Sequence, residues 1–340
     1  MNIKLWKKRA LITENTQAFL KLQKKLALLT ENTQILMKGR SFKDTESRGI
    51  IAVVCSLESK TADVATINNC LNMLETKSNV NWRFSWGFAL YIAVMMSLTE
   101  EPEQRLTDTL YIYSIFNEKK FRRSLHMAPL HCFLAAQQIA AGANSSRFEP
   151  VIDRTISFYE ALGNHGKSTG LGDCIFSVML GLSDIDVSEG VDRRDRLYQS
   201  LPDELSRGYH SGALLQVLAL GNDSYETQTA VLRLCDTLRD NHVNLLGNIF
   251  TLPALGLLSL LTKDASAVSH NMSATIDTLC TSKVCSDYSL ISSDLLLYAA
   301  SLVSSVYSDD MKNGALKAAI LTGITNLIVV GISSLVHYVG

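Results

Sequence analysis

The sequence predicts an all-α protein built from helical hairpins, stacked as an α-solenoid or closed into a ring. Three observations carry this expectation. An apolar run recurs at 49–57, 87–98, 130–141, 174–182, 212–220, 253–261 and 294–306, with starts 38, 43, 44, 38, 41 and 41 residues apart. An amphipathic stretch follows most runs. The runs are rich in Leu, Ala and Met, with β-branched residues in the minority, which favours buried helices over buried strands.

Residues 1–43 form the first element. They carry ten Lys or Arg against two Glu, a net of +8, whereas 44–340 carry 22 against 31 within an overall charge of −1. LITENTQ at 11–17 returns as LLTENTQ at 28–34, a 17-residue duplication. Leu5, Ile12, Phe19 and Leu26 are seven apart, and Leu22 and Leu29 widen the stripe. That pattern predicts a basic amphipathic arm, broken near Thr30, that caps the first repeat or lies on a membrane surface. Leu11 and Ile12 run directly into polar residues, so no apolar leader core follows Lys7, Lys8 and Arg9, and the expected location is cytoplasmic. Seven scattered cysteines without a CxxC pair agree with a reducing compartment.

The repeat domain spans 44–312 as about seven hairpins of roughly 40 residues, within the range of helical repeats. Each apolar run reads as an inner helix ending at a small polar or acidic stop, as in SLTEE at 97–101 or LLTKD at 260–264. The follower reads as an outer helix with one apolar face, marked by Leu71/Leu74, Tyr113/Phe116, Tyr159/Leu162, Tyr198/Leu201, Cys235/Leu238 and Ile276/Leu279 at i, i+3. Pro129, Pro150 and Pro253 suit helix starts, and Asp44, Ser47 and Asp173 suit N-caps. One hairpin cannot bury its apolar face alone, whereas a stack buries a continuous core. Leu90, Leu180, Leu218 and Leu258 are expected on inner helices.

The last element, 313–340, contains nineteen uncharged residues at 318–336, the length of a membrane span. Its apolar residues nevertheless form one stripe through Ile320, Ile324, Ile328 and Leu335, with Thr325 and Ser333 on other faces. A terminal helix docked on the run at 294–307 is therefore expected, with a cytosol-facing membrane anchor as the alternative.

Several segments resemble a bacterial family known as domain of unknown function 4003. They are 79–104 (NVNWRFSWGFALYIAVMMSLTEEPEQ), 172–189, 201–222, 252–261 and 296–308, in the expected order. The resemblance implies a helical cytoplasmic protein and no chemistry. The duplication near the start departs from the single opening helix that the resemblance implies.

Little in the chain points to catalysis. His126, His131 and Cys132 are the densest metal-type cluster, but neighbouring helical residues diverge by about 100°, which suits shared coordination poorly. Cys280 and Cys285 lack a nearby His. No metal or cofactor is expected. HGKSTG at 165–170 lacks the first glycine of a phosphate loop and follows no strand. No GxSxG elbow is present. Inner helices almost free of charge leave an enzyme with a pocket inside a closed ring as the weakest alternative.

The stretches joining one repeat to the next hold Arg83 and Trp86, Arg122 and Arg123, Lys167, then Arg207, Tyr209 and His210. Loops on a rigid scaffold commonly carry binding groups, and basic with aromatic residues suit an anionic ligand. The expected function is a non-enzymatic scaffold or binding protein that offers this edge to a protein or a small anionic ligand. A membrane-attached version of the same module is the alternative. Nucleic acid is disfavoured because the body is acidic.

Overall fold

The computed structural model describes residues 3–38, 42, 45–78, 86–119, 129–163, 171–208, 211–221, 224–246, 251–281, 292–308 and, near the C-terminus, 317, 320, 323 and 324. No strand occurs among them. The helices are α1 (Ile3–Lys38), α2 (Thr45–Leu57), α3 (Val64–Lys77), α4 (Trp86–Ser97), α5 (Pro102–Glu118), α6 (Pro129–Gly142), α7 (Phe148–Gly163), α8 (Leu171–Leu182), α9 (Val187–Ser200), α10 (Asp203–Ser206), α11 (Ser211–Leu218), α12 (Ser224–Asp240), α13 (Thr251–Leu261), α14 (Ala265–Thr281) and α15 (Ser292–Ser308).

The recurrent apolar runs fall on α2, α4, α6, α8, α11, α13 and α15. Each packs on the next in that order, and α15 packs back on α2. A second set follows the same course, with α3 on α5, α5 on α7, α7 on α9, α9 on α12, α12 on α14 and α14 on α1. Residues 132–140 of α6, 174–182 of α8 and 251–259 of α13 are buried without interruption. A helix buried on every face is apolar on every face, which is why these runs show no polar stripe. Leu90, Leu180, Leu218 and Leu258 all lie in this core. Each such side chain stabilises the fold by roughly 1.5–3 kcal/mol.

Pairing runs opposite to the expected order. Helices α2, α4, α6 and α8 each pack most extensively on the amphipathic helix before them, as α1 with α2, α3 with α4, α5 with α6 and α7 with α8, and α13 packs likewise on α12 before it. The basic N-terminal stretch is thereby the outer half of the first pair. It is one unbroken helix containing both copies of the duplication, with no break at Thr30. Thr30 Oγ1 donates to Leu26 O at 3.1 Å, which accommodates the hydroxyl within the helix. Leu22, Leu26, Leu29 and Leu36 are buried, and α1 also packs on α14 and α15. Two contacts join chain ends far apart in sequence. Asn15 Nδ2 donates to Asp264 Oδ2 at 2.8 Å, and the Phe19 and His270 ring centres lie 5.9 Å apart.

A cation from the outer helix repeatedly closes the end of its inner partner. Lys25 Nζ, itself buried, donates to Leu57 O at 2.6 Å and to Ser59 Oγ at 3.0 Å. Arg154 donates to Gly181 O, Ser183 O and Ile185 O at 3.2, 2.8 and 2.5 Å. Arg193 Nη1 reaches Gly221 O at 2.6 Å, and Arg233 Nη1 reaches Lys263 O at 3.5 Å. Lys60 donates similarly to Leu98 O. The last carbonyls of a helix lack partners within it and carry its negative dipole end, so a cation there satisfies both needs. These contacts also set the pairs antiparallel, because early turns of α7 and α9 meet the ends of α8 and α11.

Several local expectations are corrected. Ser47 lies within α2 and Asp173 within α8, so neither is the residue before its helix; Asp44 is outside the described residues. The caps the structure shows are Asp63, which accepts from Ala65 N and Thr66 N at 3.0 and 3.1 Å, and Asp264, which accepts from Ala267 N at 3.0 Å. Thr66 bonds hold the Asp63 carboxyl below the usual carboxylate range. Pro129 does open α6, while Pro150 and Pro253 stand third in α7 and α13, still within the first turn where no N–H is needed. Among the outer-face pairs, Tyr198 is exposed rather than core-facing, with the Arg207 guanidinium 6.0 Å from its ring centre.

Ile320 and Ile324 are buried at 0% and 2% exposure. A Cβ on Gly323 would lie closest to Met179 on α8. Ile328, Leu335, Thr325 and Ser333 lie outside the described residues. No helix among the described residues is long and apolar enough to cross a membrane.

Candidate functional site

The antiparallel pairs give the assembly two ends. At one end the inner helices finish and the next outer helices begin, through 58–63, 98–101, 143–147, 183–186 and 262–264. Neighbouring links touch there, as in Lys60 to Leu98 O and Arg147 to Asp184 at 3.9 Å. Several cations at this end are engaged with helix-end carbonyls or carboxylates. Lys263 meets Glu226 at 3.1 Å, in addition to the arginine contacts above. Ion pairs this exposed contribute about 0–1 kcal/mol each.

At the opposite end outer helices finish and inner helices begin, and the described residues between them there are 78, 119, 201–208 and 241–246. The expected binding residues fall between or beside these helices in the sequence. Arg83, Arg122, Arg123, Lys167, Tyr209 and His210 lie outside the described residues, as do His126 and Cys285. Trp86 is the first residue of α4, and its side chain is not described; the same holds for His131 in α6. Arg207 is described, exposed, and held beside Asp203, with Nε to Oδ1 at 3.2 Å. Its guanidinium is thus shared between a carboxylate and the Tyr198 ring, a weak surface arrangement that an incoming anion can replace. Arg239 lies on the same end of the fold, 3.2 Å from Glu204 and 3.6 Å from Asp236.

A cavity of about 10 Å³ opens beside Arg239, lined by Cys235, Leu238, Val243, Leu245 and Leu255 among others. It has room for about one water and none for a metabolite.

Burial favours the neutral forms of the Cys55 and Cys70 thiols and of the Tyr91 and Tyr307 phenols. Burial, reinforced by Glu58, pushes the Cys55 thiol up to about 12, and burial takes Cys70 to about 11. Burial also raises Tyr307 to about 12, offset in part by Asn271, whose Nδ2 donates to Tyr307 Oη at 3.0 Å. Tyr91 is shifted upward by burial and then by Glu58. These directions describe protonated core groups, the reverse of an activated nucleophile. Among the described residues no three metal-type side chains gather, and Cys132 is buried in α6.

The helix-closing cations escaped the sequence reading. Their signal is a basic residue set within an apolar face, such as Lys25 among Leu22, Leu26 and Leu29, placed 27 to 32 residues before the end of the next apolar run.

A family model described as a protein of unknown function, DUF4003, matches residues 34–333. No curated protein and no solved structure gives a significant match to the chain.

Proposed function

The chain belongs to this family of unknown function, and we propose that it is a non-enzymatic binding protein. In this reading its helical hairpins close into a ring whose basic end receives an anionic group, either a small ligand or an acidic feature of a partner protein. Connectivity is the observation that supports the reading. Outer helices finish and the following inner helices begin at one end, and Arg83, Trp86, Arg122, Arg123, Lys167, Arg207, Tyr209 and His210 fall between or beside those helices in the sequence, which favours a shared basic edge. Lys25, Arg154 and Arg193 at the other end are occupied by helix-end carbonyls. The inner helices begin at the basic end, so their positive dipole ends add to its field. Cytoplasmic residence fits this role.

The membrane-attached version loses support from burial. Leu22, Leu26, Leu29 and Leu36 of the arm are buried where α1 packs on α2, α14 and α15, and Ile320 and Ile324 are already covered by protein.

The test uses the full chain and two probes, pyrophosphate and a nucleoside triphosphate, at low and then physiological salt. Binding to the folded state raises Tm in proportion to occupancy. The expected result is a saturable rise with at least one probe, weakened by salt and abolished in Arg122→Ala/Arg123→Ala. Absence of any rise at millimolar probe, or an equal rise in the double variant, overturns the anionic-ligand reading.

A further inference from the structure

The inner helices contact one another in a closed order, and Gly323 on the C-terminal stretch lies against one of them on the far side. In the order α2, α4, α6, α8, α11, α13, α15, helix α8 stands three steps from α2 and three from α15, on the far side of the circuit. The chain leaves α15 at Ser308. By Gly323 it has reached α8, where a Cβ on that glycine would lie 2.3 Å from Met179 Sδ and 2.7 Å from its Cε.

The face of α8 that carries Met179 can be read from its neighbours. A Cβ on Gly181 would meet Thr155 Oγ1 at 2.3 Å and Thr155 N at 3.1 Å, so Gly181 looks onto the outer helix α7. Met179, two residues earlier, is turned about 200° from Gly181 around the helix. It therefore faces away from the outer layer, towards the inside of the circuit. Met179 is nevertheless fully buried, as is every residue from 174 to 182. Something apolar covers the inward face. Ile320 and Ile324, at i and i+4 and flanking Gly323, are buried at 0% and 2% exposure.

We propose that the C-terminal stretch carrying Ile320, Gly323 and Ile324 occupies the ring's interior, seated through those residues against Met179. The segment acts as a central plug. It explains why the inner helices are apolar on the face that would otherwise meet solvent, and it directs any ligand to the basic end instead of the interior. A side chain at position 323 would have to displace the flexible end of Met179. The inference rests on the closed ring, and its test is separable from the test of closure.

The experiment is a double-mutant cycle on the full chain, with thermal unfolding as the readout. Gly323→Leu forces a side chain into occupied space, and Met179→Ala vacates that space. Each single variant is expected to lower Tm by about 4 °C or more. Together they are expected to lose clearly less than the sum, because leucine refills the room the methionine leaves. If Gly323→Leu fails to fold, Gly323→Ala with Met179→Leu replaces it in the same cycle. Additive losses, or a Gly323→Leu Tm equal to wild type, overturn the plug. So does recovery of the wild-type chain in carbonate-washed membranes that is abolished by deleting 314–340. A parallel cycle on Asn15 and Asp264 reports closure: coupling there without coupling at 179 and 323 removes the plug and leaves the ring.

Discussion

Replacing Arg154 tests whether cations closing the inner helices hold the pairs together. Its guanidinium donates to Gly181 O, Ser183 O and Ile185 O at 3.2, 2.8 and 2.5 Å and sits 6.0 Å from the Phe158 ring centre. Hydrogen bonds from a charged donor are worth about 1.5–3 kcal/mol each, but three made by one group are not additive. Truncation to alanine also leaves carbonyls unpaired at the negative end of α8. We expect Arg154→Ala to cost about 3–4 kcal/mol. Arg154→Lys restores the charge but not the fork of donors, and is expected to recover about half of that loss. Arg154→Met keeps the stem and should resemble alanine, separating packing from hydrogen bonding. Urea unfolding followed by far-ultraviolet circular dichroism measures all three. A loss below about 1 kcal/mol for alanine at unchanged m, or equal stability of the methionine and wild-type proteins, would refute the capping role.

Four further outcomes follow from the same geometry. Gly181→Ala is expected to destabilise by about 1–3 kcal/mol, because its Cβ would meet the Thr155 backbone and side chain at 2.3 to 3.2 Å; thermal unfolding equal to wild type would displace α7 from α8. Leu218→Ala should cost about 2–5 kcal/mol, since Leu218 is 1% exposed in the core, and a near-wild-type Tm would contradict its burial. Asp264→Ala should cost more than Asn15→Ala, about 2 against 1 kcal/mol, because Asp264 also caps α14; equal losses in urea titrations would count against that dual role. Burial raises Cys55 from 9.0 to about 12, so the unfolded chain releases its proton first as pH rises. Stability from this thiol is complete below pH 9 and declines between about pH 9 and 12, by at most about 1.4 kcal/mol per unit. Unfolding of Cys55→Ala across that range should show a shallower decline, and an unchanged slope would contradict the burial.

The helices were legible because burial leaves a periodic trace. Runs of leucine and alanine without a polar stripe marked α4, α8 and α13, and the buried positions of Leu90, Leu180 and Leu258 agree. What composition cannot encode is which neighbour each run prefers. An apolar helix packs as well on the amphipathic helix before it as on the one after, so the pairing was assigned in the wrong direction. The basic charge of 1–43 then read as a separate arm, although Lys25 spends its charge on the end of α2. Tyr198 misled for a related reason. Its spacing matched a core position, but the ring serves as a surface platform near Arg207. The destination of Gly323 had no sequence signal, because a contact between 179 and 323 depends on how the circuit closes. Of the candidate site, the sequence carries the basic and aromatic residue types, while the structure describes the side chain of Arg207 alone among them.

Closure of the circuit is tested most directly by a distance between its two ends. Spin labels at exposed Thr16 on α1 and exposed Ser266 on α14, introduced as cysteines in a Cys280→Ser/Cys285→Ser background, report that separation by pulsed electron resonance. Packed helices lie about 8–10 Å apart, so a closed ring places the labels within about 30 Å of each other once their tethers are included. An open array of seven stacked pairs would hold its first and last members beyond about 50 Å. A single narrow distribution below 30 Å is the expected result, and a dominant population beyond 50 Å would contradict the ring.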